Sequence, residues 1–278
     1  VTRFDNDTRL ISEHYVGEKL GDIWGYKIDG LFRTDEEAAE YAQKVDCSYF
    51  TKRIDATATR KGLHAGDPKY LDLNGDNKIS IGKNTVEDPG DRVVIGNSLP
   101  RYSYTFGGDF SWNGIDVSIL FQGVGKRNWY PSSGQANLFW GPYCRPHNTF
   151  LSQQLVDQVW SEDNLDAYFP FPRGYEAYSD NTNSHYTLTS PNDRYIQNVA
   201  YLRLKNLTVG YTLPVLKKHL QQIRIYFTGE NLAYWSPMKK YCKYIDPEAA
   251  VSSSSYVENS GEVYNFSKVF SFGIDITF

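Results

Sequence analysis

Asp72, Asn74 and Asp76 stand at alternate positions in Asp72-Leu73-Asn74-Gly75-Asp76-Asn77-Lys78-Ile79-Ser80. Alternate side-chain oxygens followed by a backbone carbonyl, here that of Lys78, are how a short loop gathers around Ca²⁺. Asn77 fills the place usually held by glycine and tolerates the left-handed turn needed there. Lys83 falls where an EF-hand carries its bidentate Glu, so an intact EF-hand is excluded, and Asp88 or Asp91 is the available substitute. The competing reading of the same residues is a polar turn closed by its own Asx hydrogen bonds. An ion at Asp72, Asn74, Asp76 and Lys78 would stiffen a loop rather than perform a reaction.

A second group is aromatic. Trp129, Tyr130, Phe139, Trp140 and Tyr143 are interleaved with Asn128, Gln135 and Asn137. Flat rings beside amides suit a sugar, whose CH groups stack on π faces while its hydroxyls find donors and acceptors. Trp129, Tyr130, Trp140 and Tyr143 are therefore candidate substrate-binding residues. The alternative is that these rings pack a loop against its surroundings. No GxSxG, HExxH or phosphate loop is present, and Gly123-Val124-Gly125-Lys126 is at best a fragment of one. His14, His64, His147, His185 and His219 form no metal triad, and Glu162-Asp163 reads as solvated loop charge. An enzyme is not expected.

The elements that would position these groups are strands. Residues 266–278, FSKVFSFGIDITF, alternate apolar and polar through Phe270, Phe272, Ile274, Ile276 and Phe278, the period of a strand with one apolar and one wet face. Arg101–Trp112 places Tyr102, Tyr104, Phe106, Phe110 and Trp112 on one face. Asn113-Gly114 then signals a tight hairpin, and Ile115–Gly125 returns with Ile115, Val117, Ile119 and Phe121 in one row and Leu120 out of phase. Val199–Tyr211 switches phase between Leu204 and Leu207, which predicts a bulge near Lys205-Asn206. Ile223–Leu232 is a fifth strand. Opposite the apolar rows lie Asp109, Asp116, Gln122, Arg224, Glu230 and Asp275, with Arg101 at a strand start, a set suited to a wet interior. Thr34 caps a short helix in TDEEAAEYAQKV, and 150–160 reads as a helix of about three turns.

Composition fits this pattern. Of 278 residues, 22 are Tyr, 15 Phe and 6 Trp, against a single Met. Tyr and Trp suit a boundary between water and lipid, or a sugar surface. Mean hydropathy is negative, and no run approaches the ~18 apolar residues of a helical span. A formal charge of −4 argues against nucleic acid as a partner. Cys47, Cys144 and Cys242 make no CxxC and allow one disulfide at most. Turns are short at 113–114 and 212–222, whereas 27–100, 126–196 and 234–265 are long. Short turns on one side and long loops on the other are the habit of outer-membrane barrels, with the long loops outside the cell. The fold class expected is all-β: part of a transmembrane antiparallel β-barrel with long extracellular loops carrying short helices. The alternative is a soluble Ca²⁺-dependent carbohydrate-binding β-sandwich, with shorter strands and apolar faces meeting inside.

Several segments resemble the SusC/RagA family of TonB-dependent outer-membrane transporters of Bacteroidetes: VGEKLGDIWGYKIDGLFRT (16–34), GDPKYLDLNGDNKIS (66–80), DRVVIGNSLPRYSYTFGGDFSWNGIDVSILFQG (91–123), YLRLKNLTVGYTLP (201–214), IRIYFTGENL (223–232) and the terminal Phe278. The resemblance implies a barrel of about 22 strands, of which this chain would be the C-terminal part, with the plug domain and TonB box lying outside it. It implies uptake of oligosaccharides or peptides at the outer membrane of a Gram-negative bacterium. The implied partners are the N-terminal plug and barrel portion, a SusD-like surface lipoprotein and the TonB complex. Phe278 would serve as the assembly signal. The opening stretch VTRFDNDTRL does not read as a signal peptide.

Overall fold

The computed structural model describes residues 1–50, 62–131, 139, 140, 143, 153–172, 188, 190–214, 221–250 and 266–278. In chain order the elements are β1 (Asp22–Gly25), β2 (Ile28–Leu31), α1 (Asp35–Lys44), β3 (Pro68–Tyr70), β4 (Val93–Asn97), β5 (Tyr102–Trp112), β6 (Ile115–Gly125), β7 (Asn128–Trp129), α2 (Gln153–Val156), β8 (Gln197–Asn198), β9 (Tyr201–Leu213), β10 (Gln222–Trp235) and β11 (Val269–Thr277), with a 3₁₀ turn at Pro237–Lys240. They fall into two compact units. One comprises Val1–Leu99, Asn128–Gln197 and Tyr241–Val263; the other comprises Pro100–Arg127, Asn198–Lys240 and Tyr264–Phe278. Among the described residues no helix is long and apolar enough to cross a membrane, which says nothing about crossing by strands.

The second unit is one antiparallel sheet in the order β11-β10-β9-β6-β5. Its strands run 11, 11, 13, 14 and 9 residues for β5, β6, β9, β10 and β11, near or above the ~9–11 of a tilted membrane strand. Asn113 (φ 48°) and Gly114 (φ 83°) both adopt left-handed backbone, the two-residue turn that matches the twist of paired strands. The phase switch in β9 is a bulge. Leu120 of β6 pairs with Asn206 and the next residue, Phe121, with Leu204, so Lys205 is left over. β10 bulges at the same level, where Glu230 pairs with Asn206 and Ala233 with Leu204. Without this correction, Leu202 and Leu204 would face the opposite way from Leu207 and Val209.

Three tyrosines sit directly across from glycines: Tyr102 from Gly125, Tyr104 from Gly123 and Tyr226 from Gly273. A Cβ on Gly123 would lie 2.4 Å from the Tyr104 ring, and one on Gly125 would lie 2.2 Å from Tyr102. The glycines of 123–126 thus seat rings that would otherwise lack room; they are no phosphate loop.

The first unit is held by small sheets and apolar clusters. β1 pairs with β4 and β2 with β3. Thr34 accepts the Glu37 N–H at 3.1 Å, and Glu37 reaches back to the Arg33 N–H at 2.9 Å, so both side chains of TDEE satisfy donors at the start of α1. Tyr26, Val45, Cys47, Phe50, Tyr70 and Ile79 form one core cluster, and Leu31, Trp160 and Ala167 another. The helix expected over 150–160 is corrected to the single turn of α2; residues 150–152 lie outside the described set. The helix ends at Val156, and beyond the turn that follows, Trp160 N–H bonds to Phe169 O at 2.9 Å and Phe169 N–H to Gln158 O at 2.8 Å.

Candidate functional site

The sheet has two chemically opposite faces. One carries Phe106, Phe110, Ile115, Val209, Ile225, Phe270, Phe272 and Ile274, all exposed, with Phe272 at 82%. Tyr102, Tyr104 and Trp235 gather at one end of this face, and Trp112 and Tyr211 lie at the end of the Asn113-Gly114 turn. Tyr102 and Trp112 are ten steps apart. At about 3.3 Å per step that is about 33 Å, or about 25 Å once a strand is tilted by about 40°. Phe278 follows β11 and is exposed. Among the described residues these rows are exposed rather than buried face to face, so the sandwich expectation does not describe this sheet.

The opposite face is polar and organised around Arg224. Its Nε donates to Asp116 Oδ1 at 2.9 Å, its Nη2 to Asp116 Oδ2 at 2.6 Å and its Nη1 to Asp275 Oδ2 at 3.3 Å. Arg224 and Asp275 are register partners on β10 and β11. Asp116 belongs to β6, with β9 in between, so the guanidinium crosses β9. It can do so because Gly210, the register partner of Asp116, offers no side chain: a Cβ there would lie 2.5 Å from Asp116 Oδ1 and 2.7 Å from Arg224 Nε. The Tyr226 ring lies under the guanidinium at 4.8 Å. One cation thus spans four adjacent strands through a paired, double-donor contact, the stronger kind of charged hydrogen bond.

Asp109, Gln122 and Glu230 share this face by register, Asp109 opposite Ser118, Gln122 opposite Thr105 and Arg203, and Glu230 opposite Asn206. Arg101 lies just ahead of β5. Sequence reasoning missed Gly210, whose only signal was a glycine inside an otherwise continuous strand. It also missed Arg203, which is buried at 1% exposure with its guanidinium 4.9 Å from the Tyr234 ring and 5.2 Å from that of Phe266. The alternation on either side of the bulge would have put it on the polar face.

The four candidate substrate-binding aromatics are placed differently from the expectation. Trp129, Tyr130, Trp140 and Tyr143 are all buried, Trp140 and Tyr143 completely. Trp140 packs edge-on to Phe139 at 4.9 Å and to Tyr195 at 5.1 Å. Its indole N–H donates to Pro131 O and the Tyr143 hydroxyl to Pro170 O, each at 2.6 Å. Tyr130 OH donates to Leu188 O at 2.9 Å and accepts from Asn192 Nδ2 at 2.8 Å. Their faces meet other rings and their polar tips are satisfied inside, so they offer no stacking surface; this is the packing alternative. Gln135 and Asn137 lie outside the described residues.

The 72–80 loop closes on itself. Asp72 accepts from Gly75 N–H at 2.7 Å and Asn77 N–H at 2.8 Å, Asn74 from Asp76 N–H at 3.0 Å, and Asp76 from Lys78 N–H at 2.8 Å. Lys78 reaches toward Asp46, 3.9 Å away. Asn77 takes φ 60°. Fully buried Asp91 closes the loop from behind, accepting from Leu73 and Ser80 N–H at 2.8 Å each; burial raises its pKa against the lowering effect of those donors. Among the described residues no three His, Cys, Asp or Glu are grouped to hold a metal, and the oxygens expected to face Ca²⁺ face backbone N–H groups. This is the geometry of the polar turn. Cys47 and Cys242 are buried free thiols, each pushed up to about 12 by burial; Cys144 is outside the described set.

No family model matches the chain. It is 27% identical over 280 residues, 98% of its length, to TonB-dependent receptor P26 of Formosa agariphila. It is 27% identical over 235 residues, 81% of its length, to TonB-dependent receptor P3 of the same organism. The chain is similar to SusC/RagA-like TonB-dependent transporters. It spans 24% of the length of the first of these relatives and 18% of the second. In fold it is similar to a solved structure described as the RagAB peptide transporter, with a TM-score of 0.53 at 16% identity, covering 92% of this chain and 23% of that one. The likeness is one of fold, mostly strand with few helices, and the five-stranded sheet reported above ends at β5 and β11.

Proposed function

We propose that this chain contributes a stretch of barrel wall, with its associated loops, to an outer-membrane importer driven through TonB, and that the cargo is an oligosaccharide or peptide delivered with a SusD-like lipoprotein. The observation that carries the reading is the two-faced open sheet. Its exposed rows of Phe, Ile, Tyr and Trp suit acyl chains, with aromatic residues at both ends where lipid meets water. Its other face carries the Asp116–Arg224–Asp275 bracket, as a wet lumen demands. Open edges in lipid would leave backbone groups unpaired at several kcal/mol each, so β5 and β11 would pair with further strands of the complete receptor. The chain's own part is mechanical and recognitional: wall, lumen surface and loops.

Uptake by cells carrying the complete receptor tests this. Transport should stop when TonB is removed, and Phe272→Arg should keep the receptor out of the outer membrane while Thr228→Arg, on the polar face, should not. Continued uptake without TonB, or normal assembly of Phe272→Arg, would sink the reading.

For the 72–80 loop we propose the turn as the working form. A Ca²⁺ ion would require the Asp72, Asn74 and Asp76 oxygens to take the ion in addition to, or in place of, backbone N–H groups. Calcium titration of chelator-treated receptor, read as a rise in Tm that Asp76→Asn removes, would establish the ion.

A further inference from the structure

The apolar face of the sheet is not uniform. At the end away from the Asn113-Gly114 turn, an open groove of about 430 Å³ lies between Tyr104 of β5 and Trp235 of β10, within the size range of small-ligand sites. Register explains the gap. Tyr104, Gly123, Leu202 and Trp235 stand side by side on β5, β6, β9 and β10. The Tyr104 ring lies over Gly123, and Leu202 is shorter than the rings on either side. Leu202 is therefore a floor between two aromatic walls, and Ser236, Pro237 and Lys239, which follow β10, complete the lining. The side-chain hydroxyls of the groove are engaged within the protein: Tyr104 OH donates to Tyr201 O at 3.0 Å, and Ser236 Oγ accepts from Met238 N–H at 3.3 Å. A peptide or a sugar needs polar partners along its length, whereas an acyl chain needs none.

A second observation is charge. The segments at this end of the sheet, 100–102, 125–127, 198–201 and 235–240, carry Arg101, Lys126, Arg127, Lys239 and Lys240 and no acid, in a chain whose net charge is −4. Arg101, Lys126 and Lys240 are exposed. Lys239, in the groove lining, is held in place by Tyr234, whose carbonyl accepts from its ammonium and whose ring centroid lies 3.6 Å away; neither group carries a formal negative charge. Cations gathered at the margin of an apolar membrane face attract anionic lipid headgroups, and Tyr and Trp favour that same margin.

We propose that this groove seats an acyl chain of a phosphorylated membrane lipid, with the phosphate held by Lys239 and Lys240. The chain lies on Leu202 between the Tyr104 and Trp235 rings, and the head sits where the strands end. This rests on the reading of the sheet as barrel wall.

The test is quenching of Trp235 fluorescence by brominated lipids in vesicles holding the complete receptor, taken as the difference between the parent and Trp235→Phe. A minor fraction of brominated phosphatidate, whose head is a bare phosphate monoester, is compared with the same fraction of brominated phosphatidylcholine at constant ionic strength. Phosphatidate should be preferred about tenfold, and Lys239→Gln with Lys240→Gln should bring the two lipids close to parity. Inorganic phosphate should not displace the lipid. Tyr102→Trp, at the same end but outside the groove, should report a smaller preference than Trp235. Equal quenching by the two lipids, an equal preference at Tyr102→Trp, a preference untouched by the double variant, or displacement by inorganic phosphate would each overturn the proposal. So would a Trp235 that neither lipid reaches while Phe272→Trp is quenched by both, since a protein surface would then cover the groove on a wall that still faces lipid. If neither Trp235 nor Phe272→Trp met brominated chains, the wall reading itself would fall, and the groove with it.

Discussion

Trp112 and Trp140 are the same residue type with opposite fates. Trp112 ends a sheet strand and is 67% exposed, whereas Trp140 is fully enclosed in the first unit among Phe139, Tyr143 and Tyr195. The high aromatic content therefore has two physical causes. In the sheet, rings are placed where an apolar medium can reach them and are spaced by the strand period. In the first unit they act as core, meeting edge to face, with their polar tips bonded to carbonyls. Counting aromatics cannot separate the two; only the period can.

That contrast can be broken most forcefully at its buried end. Trp140→Ala should cost about 3–5 kcal/mol, read as a loss of Tm in the purified complete receptor, while Trp112→Ala should leave Tm in detergent nearly unchanged. Equal losses would erase the distinction. Next comes the charge test on the apolar face: Phe272→Arg should cost about 2–4 kcal/mol near the bilayer midplane, seen as failure to reach the heat-modifiable folded form, with Thr228→Arg folding normally. Asp72→Ala should then lose about 0.5–1.5 kcal/mol, since it removes the acceptor of two exposed backbone donors in the turn. The loss should be the same with and without a chelator if the turn is the working form.

Smaller effects sharpen the picture. Glu37 has its pKa lowered, first by the Arg33 N–H and then by Lys69. A lowered folded-state value means its contribution is present above the ordinary Glu range and is lost as pH falls through the folded value. The protection of the amides at Arg33 and the first turn of α1, measured against their intrinsic exchange rates, should fall on acidification, and Glu37→Gln should flatten that dependence. Finally, Cys47 and Cys242 should resist alkylation at pH 8 in the folded receptor and react once it is unfolded, because burial holds both as neutral thiols.

What could be read from the residues follows the same division. All five sheet strands, the Asn113-Gly114 turn and the β9 bulge were readable because a half-exposed strand writes its geometry at period two. The capped helix at Thr34 was readable because its signal is local. Trp129, Tyr130, Trp140 and Tyr143 misled because ring type alone does not say whether a face meets solvent or Tyr195, which is far away in sequence. The 150–160 helix misled because Phe169, nine residues past Trp160, competes for its backbone. Gly210 was silent because its meaning lies in two charges on other strands.

The bracket over Gly210 has a mechanical consequence. Sliding β9 would move Gly210 from beneath the guanidinium and bring Thr208 or Thr212, the next side chains on that face, into its place, so the bracket locks the register of a strand to which it makes no charged contact. A single missing side chain thus fixes the alignment of four strands.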